Sequence, residues 1–84
     1  MNKIIESIEK ELNSAYDKFS DFNSYHEGYA VIKEELDELW DEVKNKKSDK
    51  EKMYGELIQI ISMSIRFIQD LIMKKGENNG KRKC

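Results

Sequence analysis

Apolar residues recur at helical intervals along most of this chain, and no proline interrupts them. Ile4, Ile5, Ile8, Leu12, Ala15, Tyr16 and Phe19 keep the i, i+4 and i+7/i+8 spacing that places side chains on one helical face. The pattern predicts a first helix over about residues 3–19, ended by the short polar side chains of Ser20, Asp21 and Asn23. Ser24-Tyr25-His26-Glu27 then reads as a capping box: the serine hydroxyl accepts from the N3 amide, and the glutamate reaches back to the N-cap amide. This box opens a second helix over 25–45, whose apolar stripe is Tyr29, Ile32, Leu36, Leu39, Trp40 and Val43. A second box, Ser48-Asp49-Lys50-Glu51, opens a third helix over 49–75, with Gly76 as its stop. Both connections are short, so neighbouring helices should run antiparallel. The expected fold is all-α: a three-helix antiparallel protomer, one domain over residues 1–76, followed by a disordered basic tail over 77–84.

The third helix carries more apolar surface than its own chain can cover. Leu57, Ile58, Ile60, Ile61, Met63, Ile65, Phe67, Ile68, Leu71 and Ile72 span roughly 220° of the helical wheel. An arc that wide needs more than two neighbours, which predicts self-association into a dimer or tetramer with a four-helix-type bundle. Trp40 is expected in the core, Phe19, Phe22 and Tyr25 as a hydrophobic staple around the first connection, and Met53, Met63 and Met73 as gap-fillers. Gly55, inside the third helix, costs about 1 kcal/mol relative to alanine and calls for a close backbone approach.

Composition narrows the function classes. With 84 residues the chain supports one core, and its longest apolar runs fall far short of the roughly 20 residues that span a bilayer. No membrane partner is expected. The amino-terminal stretch reaches Glu6 before an apolar core forms, so it does not read as a signal peptide, and one cysteine, Cys84, fits a reducing compartment; the expected location is cytoplasmic. The net charge of −2 divides unevenly: residues 74–84 carry five cations against Glu77, leaving residues 1–73 at −6. An acidic domain repels a phosphate backbone, so no nucleic-acid partner is expected through the folded part.

The acids of the second helix form a ridge beside its core stripe, read from composition as a solvated face and, as the alternative, as a site for chemistry. With Ile32 at 0°, the core positions Leu36 and Val43 lie within about 40° of it, whereas Glu35, Glu38 and Glu42 fall near 300°, 240° and 280°. Carboxylates gathered this way repel one another, and a divalent cation would reverse that sign. On the third helix Glu56 and Gln59 form an i, i+3 pair able to add oxygens from a second element. Lys33 and Arg66 are candidate phosphate contacts, with surface and ion-pair roles as the alternative.

At these residues the chain resembles the MazG-like, all-α nucleoside triphosphate pyrophosphohydrolases. That family carries a Glu-Glu-x-x-Glu element on one helix and a Glu-x-x-Asp element on the next. Here the first stands as Glu34-Glu35-Leu36-Asp37-Glu38 and the second as Glu56-Leu57-Ile58-Gln59, and the likeness spans about residues 24–73. The resemblance implies an oligomeric helical bundle that hydrolyses a nucleoside triphosphate to the monophosphate and pyrophosphate with magnesium, or manganese, as cofactor. By motif match Glu35, Glu38 and Glu56 would be metal ligands, and Glu34 would help bind metal or orient the attacking water. Gln59 stands where the family has aspartate, so the fourth ligand would be a neutral amide oxygen. Three classes follow: a pyrophosphohydrolase, a nucleotide-binding relative without turnover, and a helical assembly protein with a solvated acidic face.

Overall fold

A computed structural model describes residues 1–73, and among them every element is helical. The expected stop at Gly76 and the tail over 77–84 lie outside these residues. Helix α1 runs Asn2–Lys18, α2 Tyr25–Val43 and α3 Lys50–Phe67, and a π-helical turn, Ile68–Ile72, continues α3. Helix α1 ends where Phe19 turns extended, its amide still bonded to the Ala15 carbonyl at 2.8 Å.

Both caps form, each with a shift from the expected pairing. The Ser24 hydroxyl accepts from the Glu27 amide at 3.0 Å, while the Glu27 carboxylate accepts from the Asn23 amide at 2.6 Å, one residue ahead of the N-cap. At the second box Asp49, not Ser48, is the N-cap, and its carboxylate accepts from the Glu51 and Lys52 amides at 2.8 and 3.3 Å. One carboxylate oxygen, Oδ1, takes both amides, and its negative charge suits the positive end of the helix. The Glu42 carboxylate in turn accepts from the Asp49 amide at 2.9 Å, fastening the end of α2 to the start of α3. Glu42 therefore serves the connection, although it shares a flank with Glu35 and Glu38.

Helix α3 is central, and both other helices pack on it. Ser7 meets Tyr54 near the starts of α1 and α3, at 2.8 Å, and Tyr16 meets Asp70 near their ends, also at 2.8 Å, so these two run parallel. Helix α2 runs against them, as the short connections predict: Gly28, near its start, lies beside Phe67 and Leu71. A Cβ at Gly28 would stand 2.8 Å from Cε2 of Phe67, so the close approach that fixes a glycine is here. At Gly55, by contrast, an added Cβ meets nothing within 4 Å, and the expected close approach is absent.

The core of a single chain is small. Ala15, Phe22 and Met63 are buried together, with Val31, Ile32, Phe67 and Leu71 packed around them, and Ile58 is buried farther along α3. The Tyr25 and Phe67 rings stack at 5.9 Å over the first connection. Much of the expected α2 stripe lies outside this core: Trp40 is 58% and Leu36 52% exposed, with Tyr29 and Val43 also open. Only Ile32 and Leu39 of that stripe are half-buried, Ile32 against the core, because the stripe is broader than one neighbouring helix can cover. Met73 is likewise exposed. Leu57 and Ile61 on α3, and Ile68 and Ile72 in the π-helical turn, remain exposed, so the wide apolar arc is only partly covered.

Candidate metal centre

Helices α2 and α3 bring Glu35, Glu38 and Glu56 together. One oxygen from each of the three carboxylates lies within 4.8 Å of the others. The spacing explains the meeting: Glu35 and Glu38, at i and i+3, share one face of α2, and antiparallel α3 sets Glu56 against them. Glu35 and Glu56 are half-buried, and Glu38 is exposed. Gln59, one turn beyond Glu56, lines the same cavity of about 460 Å³ with all three carboxylates.

The three carboxylates act on one another. Burial, first, and then the neighbouring Glu38 and Glu56 push the Glu35 carboxyl from 4.5 up to about 7. Glu38 is also raised, chiefly through its hydrogen bond with Glu56. No described cation pairs with any of the three. Like charges brought this close lower their energy either by sharing a proton or by binding a cation.

The donor set suits a hard divalent ion. Oxygens around an octahedral magnesium at 2.0–2.1 Å are about 3–4 Å from one another, so the three carboxylates reach that geometry with small side-chain movements. Three carboxylates and one amide oxygen would leave coordination positions for water or a phosphate, the usual mode for magnesium.

A second, larger cavity of about 610 Å³ opens beside the cluster. Its walls include Glu34, Glu35 and Gln59, with apolar Phe22, Val31 and Met63 and the charged Arg66. Glu34 is exposed here and lines no part of the smaller cavity around Glu38 and Glu56.

The two candidate phosphate contacts lie apart from each other. Lys33 is on the outer side of α2, paired with Asp37 at 3.1 Å, and lines neither cavity next to the carboxylates. Arg66 is 4% exposed and held from several sides. Its Nη2 donates to the Ser20 carbonyl at 2.8 Å, and its guanidinium lies 4.2 Å from the Phe22 ring centre and 5.3 Å from that of Tyr16. Its Nε stands 3.9 Å from Asp70.

Asp70 completes this second polar centre. It accepts from the Tyr16 hydroxyl at 2.8 Å and from the Phe22 amide at 3.0 Å, tying the π-helical turn to α1 and to the first connection. Burial, and then the hydrogen bond to Asp70, raise the Tyr16 hydroxyl to about 12, so it stays a donor. Two residues beside the carboxylates were not legible as site residues in the sequence: Glu11 and Lys18 of α1 line both cavities. Their only signal is a shared helical face, since i and i+7 fall about 20° apart.

No protein-family model, curated protein or solved structure matches this chain.

Proposed function

We propose that this protein is a magnesium-dependent nucleoside triphosphate pyrophosphohydrolase of the MazG-like kind, working as a homo-oligomer. The observation that carries the reading is the meeting of Glu35, Glu38 and Glu56 from two helices, with no ion pair to a described cation, at the positions where the family resemblance expects ligands. Glu35, Glu38 and Glu56 would hold the ion, and Gln59 would offer its amide oxygen. A bound magnesium supplies polarisation of phosphoryl oxygens and a lowered pKa for coordinated water. Glu34, beside the larger cavity, would accept a proton from the water that attacks the phosphorus, with pyrophosphate as the leaving group. The exposed Leu36, Trp40, Leu57 and Ile61 supply the apolar surface through which protomers would associate.

Gln59 favours a second reading, a nucleotide-binding relative without turnover, because an amide binds a hard cation less tightly than a carboxylate. One experiment separates the two. Pyrophosphate release is followed with a panel of nucleoside and deoxynucleoside triphosphates in magnesium or manganese, alongside the melting temperature, for the parent and Gln59→Asp. Turnover by the parent supports the enzyme, and Gln59→Asp should then bind magnesium more tightly and turn over faster. A ligand-dependent melting shift without turnover supports the relative. Neither response in either protein leaves only a helical assembly protein.

A further inference from the structure

We propose that Lys18, at the carboxyl-terminal end of α1, is the residue that binds the phosphate chain of the substrate; the inference rests on the proposed pyrophosphohydrolase site. A polyphosphate carries more negative charge than one divalent ion neutralises, and the carboxylate cluster adds charge of the same sign. A site of this kind needs a protein cation within reach of the ion. Three basic residues compete for that role. Lys33 lines neither cavity beside the carboxylates and is paired with Asp37. Arg66 lines the larger cavity but not the smaller one around Glu38 and Glu56, and its guanidinium is fixed by Ser20, Phe22, Tyr16 and Asp70. Lys18 alone among them lines both cavities, the one beside the carboxylates and the larger one beside Glu34.

The state of Lys18 agrees with this role. It is exposed, and no ion pair joins it to a described residue. An ammonium on a four-carbon stem is a mobile point charge that can follow a flexible phosphate chain, which a clamped guanidinium cannot. The local backbone holds the stem in place: α1 stops at Lys18 because Phe19 turns extended, so the last helical turn abuts both cavities. Interaction with the helix dipole is the alternative role for a lysine in a last turn, and it predicts an effect on stability without an effect on anion binding.

The test uses inorganic tripolyphosphate at saturating magnesium, which carries no base and so isolates the phosphate contact. Binding is measured by calorimetry on the full chain for the parent, Lys18→Gln, Lys18→Arg, Lys10→Gln and Glu38→Gln, with manganese binding measured separately. Lys18→Gln should weaken tripolyphosphate about tenfold, the size of one charged hydrogen bond, and leave manganese binding unchanged. Lys18→Arg should restore most of the affinity, and Lys10→Gln, which removes the same charge from the same helix, should bind as the parent. Parental affinity in Lys18→Gln, or an equal loss in Lys10→Gln, overturns the role of Lys18 while the metal site stands. If the parent binds neither manganese nor tripolyphosphate, the site reading fails, and the role of Lys18 with it.

Discussion

Two polar clusters lie where α3 meets its neighbours, and they are built on opposite principles. Around Asp70 opposite charges meet: its carboxylate accepts from the Tyr16 hydroxyl and the Phe22 amide and faces the Arg66 guanidinium, whose buried Nε, 3.9 Å away, has no hydrogen-bond partner among the described residues. Around Glu35, Glu38 and Glu56 like charges meet: three carboxylates come together with no ion pair to a described cation, and two of them are pushed up. In this closed cluster opposite charges are paired, and its bonds tie the π-helical turn to α1 and to the first connection. In the open cluster like charges meet, which costs stability until a proton or a cation is bound. The contrast gives the first cluster a structural role and makes the second the candidate site.

The largest expected effect comes from unbalancing the closed cluster. Asp70→Asn keeps the side-chain shape but leaves the buried Arg66 guanidinium without its counter-charge, and should cost about 3 kcal/mol in denaturant unfolding. Tyr16→Phe, which removes one hydrogen bond to the same carboxylate, should cost about 1 kcal/mol. A loss at Asp70 no larger than that at Tyr16 would mean that the ion pair contributes little.

The open cluster should reveal itself in the pH dependence. The folded-state value for Glu35, about 7, lies above its ordinary value of 4.5, so the folded chain holds a proton that the unfolded chain has released. Its contribution is complete below about pH 4.5 and is lost as pH rises through about 7. Metal-free stability should therefore fall between pH 5 and pH 8, by on the order of 1 kcal/mol once solvent screening at this open site is allowed for. Glu35→Gln should flatten that fall. A profile that rises over the same range, or that Glu35→Gln leaves unchanged, would show the three carboxylates to be farther apart than they stand here.

The smallest effects contrast the two helical glycines. Gly55→Ala should stabilise the chain by up to about 1 kcal/mol, because helix propensity is gained and a Cβ meets nothing. Gly28→Ala should destabilise it, since the Phe67 ring must move. Thermal melts of both variants decide the matter, and equal shifts would contradict the packing of α2 on α3.

The three helices and the carboxylate triad were legible for the same reason: both depend on short-range periodicity. Glu35 and Glu38 share a face by helical spacing alone, and one short connection is enough to set Glu56 opposite them. The Tyr16–Asp70 bond joins residues 54 positions apart through a π-helical turn, and a regular 100° wheel does not carry that offset. The burial of Arg66 was hidden for the same reason, because an arginine on a helix flank reads as solvated until its partners are known. Trp40 misled in the other direction: the stripe containing it is real, but one chain covers only part of it. Lys18 carried no motif, and only the packing of α1 on α3 brings it beside the acids.

The most direct measurement is manganese or magnesium binding to the parent and to Glu38→Gln, by calorimetry, together with the melting temperature of both in chelator. If Glu35, Glu38 and Glu56 form one cation site, the parent binds the ion and melts higher with it. Glu38→Gln should then lose at least about tenfold in affinity while its metal-free form melts at the same temperature or higher, because a repulsion has been removed. A parent that binds no ion at millimolar concentration, or a Glu38→Gln variant that keeps the affinity and loses metal-free stability, would contradict the assignment and return the three glutamates to the protein surface.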